Sequence, residues 1–323
     1  MKVCVVGAGA MGVLLGARLA AAGCRVTALA RGDTLAVLHR EGFRLDEAGE
    51  RTVWPVQASA DPTALGTQDL VLLTVKAPVL PALADFLGPL LQPDTTIMTL
   101  GNGLPWWFGP ATVGADLVSL DPKGRLIAAL PQRQVVGAVA YFHSQRPAPG
   151  VARHVEGRRL LIGEPSGAES PRVELLVDLF RRARFDAAVT TDIRSDLWAK
   201  LWGTVTAGPI SMLTGAGCEA ILTDPLVERF VLDVMAEVET VGRAVGCSMT
   251  QTAEERNRTT RALGAFRPSM ARDADAGLPV ELDAIVVAVR ELAQLLDIAT
   301  PQLDTLLGLA RLRARVQRVY PDG

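Results

Sequence analysis

Several things are scarce in this 323-residue chain, and each scarcity excludes a class of protein. Cysteine comes first. Cys4, Cys24, Cys218 and Cys247 lie far apart and form no C-x-x-C pair. No metal site is expected from them, and free thiols in a cytoplasmic protein are the reading. Charge of one sign is missing too. Lys and Arg number 33 against 35 Asp and Glu, a formal net charge of −2, so there is no global electrostatic footprint for nucleic acid. Apolar runs are broken by Gly, Arg or Asp well before the ~20 residues a membrane span needs. No fixed repeat period is visible. The opening run Met1-Lys2-Val3-Cys4-Val5-Val6-Gly7 enters a glycine pattern rather than a small-residue cleavage site, so a first strand is expected and not an export signal.

What is present fits a folded enzyme. Hydrophobic residues make up 49% and charged residues 21%, too apolar for a disordered chain. The length suits roughly two domains. In the first half, strand and helix patterns alternate. Val3–Gly7 reads as a strand, Ala10–Ala22 as a helix ended by Gly23, and Arg25–Ala30 as a second strand. Asp69–Val75 and Thr95–Leu100 are continuous apolar runs of the kind buried on both faces of a sheet, with a helix expected at Val79–Leu91 between them. From Gln134, three short segments (Val135–Phe142, Val151–Val155, Arg159–Ile162) read as antiparallel strands closing an edge. Pro171–Arg184 reads as a helix and Ala187–Thr190 as a last strand.

Beyond Thr191 the strand signal stops. Ile193–Val205 reads as a helix, and Gly208-Pro209 is expected to kink or end it. Asp224-Pro225 is a capping carboxylate followed by proline at the first helical position, with an apolar stripe from Leu226 to Val245. Leu282–Leu296 and the segment after Thr300-Pro301 repeat helical spacing. The expected fold class is therefore α/β: an N-terminal Rossmann-type dinucleotide-binding domain over 1–190, then an all-α domain over 191–323.

Gly7-Ala8-Gly9-Ala10-Met11-Gly12 fits G-x-G-x-x-G, and it follows a buried strand and opens a helix, the context the motif needs. Gly7 permits the turn, Gly9 lets backbone approach a pyrophosphate, and Gly12 lets the helix lie close to the sheet. The pyrophosphate would meet the amides of the helix start, those of Ala10 and Met11 among them. The second strand ends in Ala30-Arg31-Gly32-Asp33, with no acidic residue directly at the strand end. Arg31 suits a 2′-phosphate, so NADP (NADPH) is favoured over NAD, with Asp33 the competing acceptor. Lys76 and Asn102 follow two buried strands at the ligand edge; a loop charge and a turn residue are their plain readings.

Two more residues stand out. Lys200 is bracketed by Leu197, Trp198, Leu201 and Trp202. Partial burial there would lower its pKa and make it a proton donor near neutral pH, the plain alternative being a snorkelling surface lysine. Glu281 falls where the dipole of a late helix favours a carboxylate, which is also its plain reading.

Taken together, Gly7–Gly12, Thr74-Val75-Lys76-Ala77, Asn102-Gly103, Asp192–Leu201 around Lys200, Ser269-Met270-Ala271-Arg272-Asp273 and Val280-Glu281-Leu282-Asp283 resemble the ketopantoate reductase (2-dehydropantoate 2-reductase) family, in order and over nearly the whole chain. The resemblance implies a Rossmann domain, an all-α domain and a cleft between them. It implies NADPH-dependent reduction of a 2-oxo acid to a 2-hydroxy acid, ketopantoate to pantoate in pantothenate biosynthesis. By the same resemblance Lys200 is the general acid, and Glu281 orients it and the substrate. Ser269 contacts the substrate carboxylate, while Asn102 and Lys76 line the junction of cofactor and substrate. The expected partner is a small 2-oxo acid, with no nucleic acid and no membrane; a homodimer is compatible with the all-α domain.

The chain also departs from that pattern. The family usually has asparagines four and eight residues after the lysine, on one helical face; here they are Thr204 and Gly208. Thr204 can replace one hydrogen bond to substrate and Gly208 none. The loop Leu104–Pro131 carries Pro105-Trp106-Trp107-Phe108, read either as aromatic anchoring or a subunit contact, or as an apolar wall over a bulkier substrate. The alternative function is thus an NADP-dependent reductase of another 2-oxo acid or carbonyl compound. A non-enzymatic dinucleotide sensor is the third reading, opposed by Lys200, Glu281, Ser269 and Asn102.

Overall fold

A computed structural model describes residues 1–322. It divides into two units: Met1–Gly101 with Gly124–Ile193, and Asn102–Lys123 with Arg194–Gly323. Residues 102–123 therefore leave the domain in which the sequence reading placed them, and pack with the helices that follow residue 193.

The first unit is built on one sheet. Its strands are β1 (Lys2–Val6), β2 (Arg25–Leu29), β3 (Phe43–Glu47), β4 (Glu50–Trp54), β5 (Gln57–Ser59), β6 (Leu70–Leu73), β7 (Thr96–Thr99), β8 (Val135–Gln145), β9 (Val151–Gly163) and β10 (Asp186–Val189). The order is β4-β3-β9-β8-β7-β6-β1-β2-β5, with β10 on β9. From β8 through β7, β6, β1 and β2 to β5 every pairing is parallel, and Val5 of β1 lies between Leu72 and Ala28. Both faces of these strands are covered: β6 and β7 are buried at every residue. That is the physical reason their sequences are uninterrupted rather than alternating.

The first helix, Ala10–Ala21, buries Gly12 through Leu19, and Gly16 is the point of closest approach, where a Cβ would stand 2.5 Å from the Phe43 ring. Its one buried charge, Arg18, reaches Glu47 Oε1 at 2.5 Å and the Arg184 carbonyl at 3.2 Å, with its guanidinium 4.5 Å from the Phe185 ring centroid. Burial alone would raise the Glu47 carboxyl; Arg18, then His154 and Arg158, bring it below the usual range.

Three expectations for this unit need correction. The segment Val79–Leu91 is not one helix. Pro81 and Gly88-Pro89 cut it into short turns, with only Leu80–Leu83 α-helical. The segments Val151–Val155 and Arg159–Ile162 are one strand, β9, which passes through a register shift between the pairs Tyr141↔Arg159 and His143↔Glu156; Gly157 sits there at φ +74, where a Cβ would stand 2.3 Å from the Tyr141 carbonyl. Nor do β8 and β9 close the sheet. The hairpin β3–β4 lies beyond them, turning through Ala48 and Gly49, both at positive φ.

The second unit is helical. Its long members are Ile193–Thr214, Pro225–Ala244 and Pro301–Val316, and no helix among the described residues is long and apolar enough to cross a membrane. Asp224 caps as expected, its Oδ1 accepting from the amides of Leu226 and Val227 at 3.0 and 3.1 Å. Leu226 itself is 83% exposed and so leaves the apolar stripe. Helix Ile193–Thr214 continues through Pro209 rather than ending there. A proline ring clashes with the Cβ of the residue before it, and Gly208 has none. Buried packing from Val205 to Met212 holds the helix across the missing amide.

Residues 102–123 are anchored into this unit by their aromatics. Trp106, Trp107 and Phe108 are buried, and Phe108 stacks on Trp198 at 5.7 Å between centroids. The Leu104 amide donates to the Ala284 carbonyl at 2.8 Å, and the amides of Val118 and Ser119 donate to the Glu291 carboxylate at 2.6 and 2.9 Å. Aromatic anchoring is what the structure shows for Pro105–Phe108.

Candidate active site

In the first unit the carboxyl ends of the parallel strands carry the glycine motif after β1, Arg31 after β2 and Lys76 after β6. Gly7 sits at φ +98, and a Cβ there would meet Val75 Cγ1 at 2.5 Å. At Gly12 a Cβ would stand 2.2 Å from the Gly7 carbonyl and 2.7 Å from Thr74 Oγ1. The Thr74 hydroxyl donates to that same Gly7 carbonyl at 2.7 Å, so the turn is pinned from β6. Gly9 is different: a Cβ on it would meet nothing within 4 Å. It is the N-cap of helix Ala10–Ala21, with no side-chain cap and no acidic residue in the first turn. Backbone amides at an uncapped helix start, beside open space, are what an anionic pyrophosphate requires. Here the residues fit a dinucleotide.

Arg31 is exposed at the start of the next helix, Gly32–Glu41, which also lacks a side-chain cap. Asp33 lies in its first turn. Lys76 is half-buried and leads into the short turn Ala77–Val79.

In the second unit three expected residues come together. Lys200 lies in the first half of helix Ile193–Thr214, half-buried, and burial pulls its ammonium down to about 8; Glu281 opposes that shift and Arg256 adds to it. Glu281 is buried, two residues before the π-helix Asp283–Val287, and its carbonyl accepts from the Ile285 amide at 3.2 Å. Asn102 Nδ2 donates to Glu281 Oε2 at 3.4 Å. Its neighbour Gly103 explains how it gets there: a Cβ at Gly103 would stand 2.3 Å from the Ala284 carbonyl. Asn102 is therefore held to Glu281, two residues after Leu100, whose amide donates to the Leu73 carbonyl at 3.2 Å.

Thr204, one turn beyond Lys200, donates its hydroxyl to the Lys200 carbonyl at 2.9 Å. Its proton serves the helix, which leaves the hydroxyl oxygen only its lone pairs to offer a ligand. Gly208 lies against Met270, at 3.6 to 3.8 Å from a Cβ built on it, and Ser269 precedes Met270 at the start of helix Ser269–Asp275. Two residues escaped the sequence reading. Thr74 was inside a quoted motif but its hydroxyl had no assigned partner. Arg256, in a polar helix beside Arg258 and Arg261, had no local signal to separate it from them.

Comparison with known proteins follows from this geometry. A profile of the ketopantoate reductase PanE/ApbA family matches residues 3–167, and one of the PanE/ApbA C-terminal region matches residues 192–314. The 2-dehydropantoate 2-reductase of Mesorhizobium japonicum is 39% identical over 323 residues, covering 98% of this chain and 99% of that one. That of Halobacterium salinarum is 30% identical over 318 residues, covering 98% and 99%. A crystal structure of a ketopantoate-reductase-like protein from Ralstonia solanacearum MolK2 aligns at TM-score 0.95 and 46% identity, over 99% of both chains. The chain belongs to the ketopantoate reductase family and is an oxidoreductase.

Proposed function

We propose that this ketopantoate reductase family member reduces a 2-oxo acid to the 2-hydroxy acid with NADPH, ketopantoate to pantoate being the reaction it fits first, as a step of pantothenate biosynthesis in the cytoplasm. One observation carries the reading. A buried-environment lysine, Lys200, has its ammonium at about 8, beside the Glu281 carboxylate that Asn102 holds. Such a lysine is still charged at neutral pH and close to giving its proton away, which is what a ketone reduction demands.

Gly7, Gly9, Ala10, Met11 and Gly12 would hold the cofactor's pyrophosphate, Arg31 its 2′-phosphate, and Lys76 and Asn102 its nicotinamide end. When bound, NADPH supplies the hydride. Negative charge then grows on the substrate oxygen, where the Lys200 ammonium stabilises it and transfers a proton from Nζ. Glu281 keeps Lys200 charged until that moment and orients it. Ser269 and the Thr204 oxygen contact the substrate's polar groups. The test is oxidation of NADPH and NADH, side by side, over a panel of ketopantoate and other branched 2-oxo acids. Turnover of ketopantoate with NADPH is expected; no turnover with any member, despite bound cofactor, overturns the reading.

A second reading keeps the chemistry and changes the acid. It is favoured by Thr204, whose proton is engaged by the Lys200 carbonyl, and by the bare Gly208. Failure on ketopantoate together with turnover of another panel member selects it.

A further inference from the structure

The helix face that carries Lys200 is poor in donors beyond the lysine. Thr204 spends its hydroxyl proton on the Lys200 carbonyl at 2.9 Å, and Gly208 has no side chain to offer. A 2-oxo acid nonetheless brings a carboxylate next to the reacting carbonyl. A carboxylate drawn out of water needs charge-assisted donors, and a guanidinium fork meets its two oxygens best.

The structure holds a guanidinium at this face. Arg256 lies on helix Ala253–Arg261, whose start is fixed by a capping box between Thr252 and Glu255 and whose far end is tied through Arg261 to Glu228. Its guanidinium rests on Gly203. A Cβ built on Gly203 would stand 2.3 Å from Nε, 2.5 Å from Nη2 and 2.7 Å from Cζ. Any other residue at 203 would push the group away. Gly203 is three residues after Lys200 and next to Thr204, hence on the same side of the helix. Arg256 is half-buried and near enough to Lys200 for its charge to be felt there. Setting a second cation beside a partly buried lysine works against both charges. Glu281 offsets part of that at Lys200, and the carboxylate of a bound acid would add to it at Arg256.

We infer that Arg256 is a substrate-binding residue that receives the carboxylate of the 2-oxo acid, seated by Gly203, and that it selects acids over uncharged carbonyl compounds. The inference rests on the reductase reading above. Its test compares the enzyme with Arg256→Gln and Arg256→Lys, each bound to NADPH, on a 2-oxo acid and its methyl ester. The Gln variant should raise KM for the acid about 30- to 100-fold and leave the ester within about threefold. The Lys variant should recover part of the loss, and cofactor affinity should not move. Equal loss on acid and ester, or a change in acid KM below threefold, overturns the inference while the reductase reading stands. Calorimetry of the acid with the NADP-bound enzyme covers the case of no turnover. Binding weakened tenfold or more in Arg256→Gln supports the carboxylate role even though the reductase reading has failed; binding that is absent or unaltered overturns it.

Discussion

Asn102 donates to Glu281 across 179 positions of sequence, Nδ2 to Oε2 at 3.4 Å. The bond is long for an amide and a carboxylate, so its part is to orient rather than to stabilise. The two residues meet because Gly103 lets the chain lie against the Ala284 carbonyl, and because the Leu104 amide then donates to that carbonyl at 2.8 Å.

The first prediction concerns pH. Lys200 is lowered to about 8 by burial, then raised again in part by Glu281. As general acid it acts in the protonated form, so kcat should hold at neutral pH and fall on the alkaline side with a break near 8. Glu281→Gln removes the group that supports the charge, and the break should move to lower pH. Lys200→Met should leave NADPH binding intact and abolish turnover. Activity within about tenfold of the native enzyme, little more than 1.4 kcal/mol of barrier, would remove Lys200 from this role.

A second prediction separates the two nicotinamide cofactors. Arg31 is exposed at a helix start with no side-chain cap. Arg31→Ala should raise KM for NADPH by roughly 10- to 100-fold, the range of one charge-assisted contact of about 1.5–3 kcal/mol, and leave NADH unchanged. An equal effect on both cofactors would place Arg31 outside the 2′-phosphate site. Gly12→Ala should abolish binding of either, since its methyl would fall 2.2 Å from the Gly7 carbonyl.

Features that work locally were legible in the sequence. Gly7 and Gly12 do their work within one turn, and Asp224 caps the residues next to it. Other features were not, because their cause lies across space. Ala48-Gly49 makes the β3–β4 turn at positive φ without the Asn or Asp that usually marks such a hairpin. Gly208 relieves the proline that follows it, so a stop signal was read where a helix continues. Residues 102–123 look like a loop of the first domain until Phe108 is found stacked on Trp198. Arg256 has no meaning until Gly203 is found beneath it.

A third prediction concerns stability. Arg18 is 3% exposed in its side chain and depends on Glu47, itself joined by Arg158 and His154 Nδ1, each at 3.2 Å. Glu47→Gln would leave a buried guanidinium without its counter-charge, at a cost of about 3 kcal/mol in urea unfolding. Because the Glu47 carboxyl is held below its ordinary value, its contribution is present above the usual carboxylate range and is lost as pH falls through the lowered value. The gap between native and variant should therefore narrow in acid. A loss under 0.5 kcal/mol at pH 7 would show the pair to be no more than a surface contact.

The last prediction joins the fold to the choice of substrate. Gly208 is buried in the middle of a helix, where glycine costs about 0.5–1 kcal/mol against alanine. A Cβ there would meet Met270 at 3.6 Å or more, an ordinary contact, but it would also clash with the Pro209 ring inside the helix, so Gly208→Ala should lose more than that amount and be less stable. Gly208 also lies two turns from Lys200, on the same face. If that face borders the substrate, the added methyl should raise KM for the bulkier branched 2-oxo acids and spare the small ones. Unfolding followed by circular dichroism reads the first effect and the substrate panel reads the second. Lost stability with an unchanged panel would place the substrate's side chain away from Gly208 and leave the space there to the helix alone.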